Sequence, residues 1–272
     1  MSKENVAVGF RNVDKTGNEN VYSRCLSTLD SLPYYVAIKR QSYERLKLMP
    51  NDNVLDAGCG IGDDVFRMAE KVSDGSVVGM DSSVAMLKEA WADKRSSELP
   101  VQFIHGDIKT IPFGEGYFSK CRIDRVLQHV PQPREAIKEL VRVLEPGGLL
   151  LAYDNDWGSF SVNSDDMELT RIIENLWTGS LTNTWIGRYL TTYFVDAGLR
   201  DVIAYPSVSL ITDFETADKI YFLRQTVERA VSEKLITEKV GQSWISELAK
   251  KTERGCFAAS LTAYTVVGRK PQ

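Results

Sequence analysis

The 272-residue chain has only two histidines, His105 and His129, so few side chains are available for proton transfer near neutral pH. Its four cysteines, Cys25, Cys59, Cys121 and Cys256, lie far apart with no paired spacing. That pattern fits neither a zinc site nor a disulfide framework, and it suits a reducing compartment. No run of five basic residues occurs, so the phosphate-neutralising patch of a dedicated nucleic-acid binder is lacking. No window of about 18 apolar residues exists, so no membrane span is expected. The opening MSKENVAVGF has no long apolar stretch, hence no signal peptide is expected and the expected location is the cytoplasm. Internal repeats and low-complexity tracts are lacking too.

What remains is an ordinary globular composition. Apolar residues make up 43% and charged residues 26%, which argues against disorder. The 33 Lys+Arg against 37 Asp+Glu leave a formal charge of −4. Residues 20–48 read as two short helices, the second opened by Pro33. Beyond them strands alternate with helices. Asn53–Ala57, Ser76–Met80, Val101–His105, Tyr117–Asp124 and Leu149–Tyr153 read as strands, with helices between them at 63–72, 83–94 and 133–144. Such alternation implies right-handed crossovers and a parallel sheet. Helices at 165–178 and 185–197 come next. Two late strands, 201–211 and 256–269, flank a mostly helical stretch longer than an ordinary connection. The expected organisation is an N-terminal helical arm at 1–48, a ligand-binding α/β domain at 49–211 and 255–272, and a helical lid at 212–254.

The sharpest local signal is VLDAGCGIG at 54–62, which follows one expected strand and opens a helix. Glycines there allow a tight turn and a close backbone approach to a ligand. The dinucleotide pattern G-x-G-x-x-G fails at its last glycine, where Asp63 stands. Asp56, two residues before Gly58, would repel a pyrophosphate and attract a cation. S-adenosylmethionine carries an ammonium and a sulfonium and no phosphate. Asp81 ends the second strand, 23 residues after Gly58, where an acid can accept ribose hydroxyls. Alone it fits NAD equally well. Asp107 follows the third strand, placed to accept from an adenine amino group while Ile108 packs on the ring. All three acids share one address, the carboxyl ends of the first three strands.

In this order VLDAGCGIG, VVGMD, HGDIKTIPF, RVLQHVPQP and RVLEPGGLLL resemble the class I S-adenosylmethionine-dependent methyltransferases of small molecules. The likeness is to the ubiquinone/menaquinone C-methyltransferase group and its natural-product relatives, and it spans about residues 48–153. It implies a Rossmann-like doubly wound α/β fold, a mostly parallel seven-stranded sheet with its last strand antiparallel, plus a helical cap. It implies S-adenosyl-L-methionine as cofactor. Asp56, Gly58, Cys59 and Gly60 would lie at the methionine end, Asp81, Ser82 and Met86 at the ribose, and Gly106, Asp107 and Ile108 at the adenine. The segment Asp124–Val130 would face the sulfonium. Arg125 departs from the family's usual residue, and either binds the cofactor carboxylate or pairs with Asp124.

His129 is then the single candidate for a general base, with simple packing beside the cofactor as the competing role. Tyr22, Tyr35, Asp154, Trp157, Trp185 and Tyr189 are candidates for the acceptor site. No metal is expected. The expected partner is a small, partly apolar metabolite accepting methyl on O, N or C, with a homodimer compatible and nucleic acid disfavoured. Two other readings stay open: a cofactor-binding sensor or cyclase that transfers no methyl, and an NAD-dependent oxidoreductase.

Overall fold

A computed structural model describes residues 9–272; the first part of the expected arm, residues 1–8, lies outside the described residues. Two helices come first, α1 (Glu19–Ser31) and α2 (Pro33–Leu46), the latter with Pro33 in its first turn. The sheet then alternates with helices: β1 (Asn53–Ala57), α3 (Asp63–Ala69), β2 (Ser76–Asp81), α4 (Val84–Ala92), β3 (Val101–His105), β4 (Phe118–Asp124), α5 (Pro133–Val143) and β5 (Leu144–Val162). After it come α6 (Met167–Thr178), α7 (Ile186–Asp196), β6 (Arg200–Ile211), α8 (Phe214–Tyr221), α9 (Leu223–Ser232), α10 (Glu238–Glu253) and β7 (Ala259–Arg269). The seven strands form one sheet in the order 3-2-1-4-5-7-6. Strands β1 to β5 are parallel, and β7 runs antiparallel to both β5 and β6. This is the expected doubly wound α/β fold with a helical cap. Among the described residues no helix is long and apolar enough to cross a membrane.

Burial follows the apolar spacing. On α5, Ala136, Ile137, Leu140 and Val143 face one side of the sheet together with Ile186, Leu190 and Phe194 of α7. Val65, Phe66 and Met68 of α3 and Leu87 of α4 cover the other side, beside Tyr43 and Leu46 of α2. A third core lies past the sheet, where residues of α1, α2, α6, α8, α9 and α10 pack around Trp157, Trp177, Tyr221 and Trp244.

One strand departs from expectation. The sequence pattern ends the fifth strand at Tyr153, before Asp154-Asn155-Asp156, yet β5 runs on to Val162. Its partner explains this. Strand β7 pairs with β5 straight through Asp154↔Tyr264, Asn155↔Ala263 and Asp156↔Thr262 before a bulge interrupts the register. Three buried polar residues persist there because each is bonded, Asp156 to Arg188, Asn155 to Gln128, and Asp154 to two backbone amides.

A cluster of buried charges lies beneath the carboxyl ends of β1 and β4. Arg122 is 1% exposed. Its guanidinium reaches Asp56 at 2.9 Å, Asp64 at 3.3 Å and Asp124 at 2.5 Å, and its Nε donates to Ser42 Oγ at 3.3 Å. Lys39 bonds Asp64 at 2.9 Å and Asp30 at 2.5 Å, and the Tyr43 hydroxyl donates to Asp64. The cluster thereby ties α1, α2 and α3 to β1 and β4. Burial alone would raise Asp64, but Arg122 and Lys39 hold its carboxyl well below the usual range. Asp56 has only the shared guanidinium, and burial pushes it up to about 6.

Removing Arg122 strands these carboxylates away from water. Arg122→Ala is therefore expected to lose about 3–5 kcal/mol of stability. Urea denaturation at pH 7 measures it; a loss under 1 kcal/mol would show the cluster to be dispensable.

Candidate active site

A cavity of about 380 Å³ opens at the carboxyl ends of β1 to β5, beneath the third core. That volume lies in the range of small-ligand sites. One end is built by the glycine loop after β1. Gly58 has φ +76°, and a Cβ there would meet Val126 Cγ2 at 2.2 Å, so the close approach of loop and post-β4 turn requires glycine. Gly60 donates its amide to Asp81 Oδ2 at 2.8 Å, while Asp81 Oδ1 accepts from Ser83 N at 2.8 Å. The acid at the end of β2 thus shapes the loop and also lines the cavity. Burial raises the Asp81 carboxyl above its ordinary range.

Of the expected cofactor residues, Gly58, Gly60, Asp81, Ser82 and Met86 line this end, as do Gly106, Asp107 and Ile108 after β3. Two do not. Asp56 faces Arg122 and not the cavity, because the nearest guanidinium lies on the neighbouring strand. Cys59 turns its sulfur toward Gly79 and Phe103 inside the fold.

The arm closes over this end. Asp14 caps α4, accepting from Val84 N at 2.8 Å and Ala85 N at 3.2 Å as well as from the Ser83 hydroxyl. Those bonds outweigh burial and hold its carboxyl below the usual range. The pin brings Phe10, Arg11 and Val13 to the cavity wall with Leu26 of α1, while Cys25 and Leu29 of the same helix belong to the third core over the other end. Nothing local in the sequence marks these residues as site residues.

The other end is aromatic. Tyr35, Trp157, Trp177, Tyr221 and Phe222 line it, with Ile220 and Leu181. Tyr35 and Trp157 were expected here. Tyr22 is buried outside the lining, edge-on to Phe10 at 4.8 Å. Asp154 lies behind the wall, as a strand residue and not at a strand exit. Trp185 and Tyr189 are displaced to the surface, 50% and 41% exposed, because α7 buries the stripe Ile186, Leu190 and Phe194 instead.

Arg125 sits where the two ends meet. Its backbone is left-handed, φ 56°, held by Arg125 N donating to Tyr153 O at 2.7 Å. Its Nε donates to Asp124 at 2.7 Å, its guanidinium lies 5.2 Å from the Tyr35 ring centroid, and its Nη1 has no partner among the described residues. Pairing with Asp124 is therefore present, and one arm of the fork stays available.

Gln128 fixes the chemistry of His129. The Trp157 indole donates to Gln128 Oε1 at 2.7 Å, and an indole N–H only donates. The opposite Gln128 atom must then be its amide nitrogen. It donates to Arg125 O at 3.2 Å and to His129 Nε2 at 3.1 Å. With Nε2 accepting, neutral His129 carries its hydrogen on Nδ1, which has no partner among the described residues. Burial, reinforced by Arg11, pushes His129 down to about 3. The ring stacks on Phe10 at 5.5 Å. The imidazole thus presents a neutral N–H donor.

Carboxylates beside an apolar slot, with no basic group at the glycine loop, suit a cationic, phosphate-free nucleoside better than a dinucleotide. Residues 54–148 match the family model described as a methyltransferase domain. An uncharacterised 37.1 kDa protein in transposon TN4556 of Streptomyces fradiae is 36% identical over 255 residues, 93% of this chain and 71% of that protein. The demethylmenaquinone methyltransferase of Listeria welshimeri is 33% identical over 135 residues, 49% of this chain and 57% of that enzyme. The solved YcgJ protein of Bacillus subtilis shares the fold, with TM-score 0.60 and 17% identity over 86% of this chain and 98% of its own. The chain belongs to the class I S-adenosylmethionine-dependent methyltransferases, and within them to those that transfer the methyl group to a small organic acceptor.

Two measurements check the electrostatics. Nitrogen-15 NMR should show a protonated Nδ1 and an unprotonated Nε2 on His129, unchanged from pH 5 to 8; titration within that range would refute the assignment. Burial pushes Asp154 up to about 8. The folded state then keeps a proton that the unfolded chain releases near pH 4, so stability falls as pH rises between those values. Asp154→Asn carries no such titration. Its stability relative to the parent should climb from pH 4 to 8, by about 1.4 kcal/mol per pH unit at the steepest. Parallel melting curves of the two across pH would contradict this.

Proposed function

We propose that the cavity binds S-adenosylmethionine at the end formed by Asp81, Asp107 and the glycine loop, and a small, partly apolar acceptor at the aromatic end. The observation that carries this reading is the division of one cavity into an acidic half at the strand ends and an aromatic half under the cap. When bound, S-adenosylmethionine supplies a methyl group on a sulfonium, electrophilic without further activation. Asp81 accepts hydroxyl hydrogens while still holding Gly60 and Ser83, since a carboxylate has about four lone-pair sites. Asp107 and Ile108 hold the base. The arm residues pinned by Asp14 exclude water, and the aromatic walls orient the acceptor, so positioning is the main source of rate. We also take 1–48 and 212–254 as a cap on the α/β domain; the core that α1 and α2 share with α6, α8, α9 and α10 supports this.

Asp81→Asn should weaken S-adenosylhomocysteine binding at least tenfold in calorimetry. Asparagine keeps one acceptor for the two backbone amides, so the change in stability should stay near 1 kcal/mol. Alanine is the poorer test, because it leaves both amides unpaired. Parent protein that binds NAD tightly and neither S-adenosylmethionine nor its product would overturn the reading.

A further inference from the structure

The aromatic end of the cavity offers a ligand donors and no base. Three buried nitrogens, on residues that line the cavity, have no partner among the described residues: Arg125 Nη1, His129 Nδ1 and Trp177 Nε1. Guanidinium and indole nitrogens only donate. His129 Nδ1 donates as well, because Gln128 occupies the lone pair on Nε2. Each is a donor that the described residues leave without an acceptor.

Every titratable group at this end is held out of base chemistry. Burial pushes the Cys25 thiol up to about 11 and the Tyr221 hydroxyl up to about 12, and it holds Tyr35 well above its ordinary range. Protonated thiols and phenols take up no proton at pH 7. His129 is displaced the other way, so its imidazolium is disfavoured. Asp124 lines this end, but Arg122 holds one of its oxygens at 2.5 Å and Arg125 the other at 2.7 Å. Asp154 and Asp156 lie outside the lining, Asp156 bound by Arg188. The cations lining the cavity are Arg125, Arg11 from the arm and Lys109, which lies 3.7 Å from Asp107.

We propose that the acceptor is a planar, acidic oxygen compound, an enol or phenol, that enters already ionised and docks its oxyanion on Arg125 and the His129 Nδ1–H. This rests on the methyl-transfer reading and narrows it. The acceptor's proton goes to solvent before docking. A lone pair of the anion then forms the new bond to the methyl carbon while the carbon–sulfur pair returns to sulfur, leaving a neutral ether and a neutral thioether. No proton passes to the protein. Ammonium substrates fit poorly: nothing here deprotonates them, and Arg125 and Arg11 repel them. A cation within about 4–6 Å lowers an acid's pKa by roughly 1–3 units, so Arg125 itself favours the ionised form.

The probe is 4-nitrophenol, which is coloured only as its anion. Its absorbance is titrated from pH 4.5 to 9 with excess protein saturated with S-adenosylhomocysteine. The parent should lower its apparent pKa by at least one unit. Arg125→Asn, which tolerates the left-handed backbone, and Arg125→Gln should each abolish the shift; the two guard against one failing to fold. Arg125→Lys, which keeps the charge, should retain part of it. All three should bind S-adenosylhomocysteine within threefold of the parent. An unshifted or raised pKa with the parent overturns the proposal, as does a shift that survives loss of the guanidinium. A tenfold loss of S-adenosylhomocysteine affinity in the asparagine variant would instead give Arg125 to the cofactor carboxylate and also overturn it. Failure of the parent to bind S-adenosylhomocysteine would sink the broader reading, so the two failures are told apart.

Discussion

The guanidinium of Arg122 is the contact on which the site depends. Three carboxylates from β1, α3 and β4 converge on it, and Lys39 carries the same network up into α1 and α2. Isolated buried charges are costly, so these groups are held only where each has its partners. That condition fixes the height of β1 against β4. It also brings the cap helices down onto the strand ends. Ser42 and Tyr43 reach the cluster from the helix whose first turn supplies Tyr35 to the cavity, so one polar knot sets both floor and roof.

The knot also explains the availability of Arg125. Asp124 is already bound to Arg122, so its second oxygen is all that Arg125 obtains. One arm of the guanidinium is therefore left over in a largely apolar wall. The left-handed backbone at that residue is consistent with a side chain directed by function more than by local preference. A second non-glycine residue of this kind, Phe222 with φ 49°, lies between α8 and α9 and lines the same end. The acceptor half is thus built from two conformations that cost energy, while the cofactor half uses glycines that adopt theirs cheaply.

How much of this was legible in sequence depends on the range of the interaction. Strand positions, the glycine turn and the acids after β2 and β3 are local patterns, and the structure puts Asp81 and Asp107 on one cavity. Asp56 was legible as an acid but not as a paired one, because its partner lies 66 residues away on another strand. The length of β5 was hidden for a similar reason. Asp-Asn-Asp reads as a strand end until β7, Gln128 and Arg188 are present to satisfy it. Trp185 and Tyr189 look like pocket aromatics by composition. The stripe Ile186, Leu190, Phe194 beside them carried the better signal, since only one face of α7 can meet the sheet. The arm residues at the cavity carry no local signal, because Asp14 finds the start of α4 only in three dimensions.

The role of His129 shows why proximity is a weaker guide than hydrogen-bond accounting. A histidine beside a sulfonium site, with an ordinary pKa near neutrality, reads naturally as a base. The hydrogen bonds of its neighbour support another role. Gln128 has one oxygen and one nitrogen, and the indole of Trp157 can bond only the oxygen. The nitrogen then falls to Arg125 O and to His129, and the imidazole has no choice of tautomer. A strand-end tryptophan thus sets, through one amide, which hydrogen a histidine shows the ligand. If the protein removes no proton, the demand passes to the substrate, which must bring an acidic group of its own. The narrowness of such an enzyme would then lie in the acidity of its acceptor as much as in the shape of its aromatic walls.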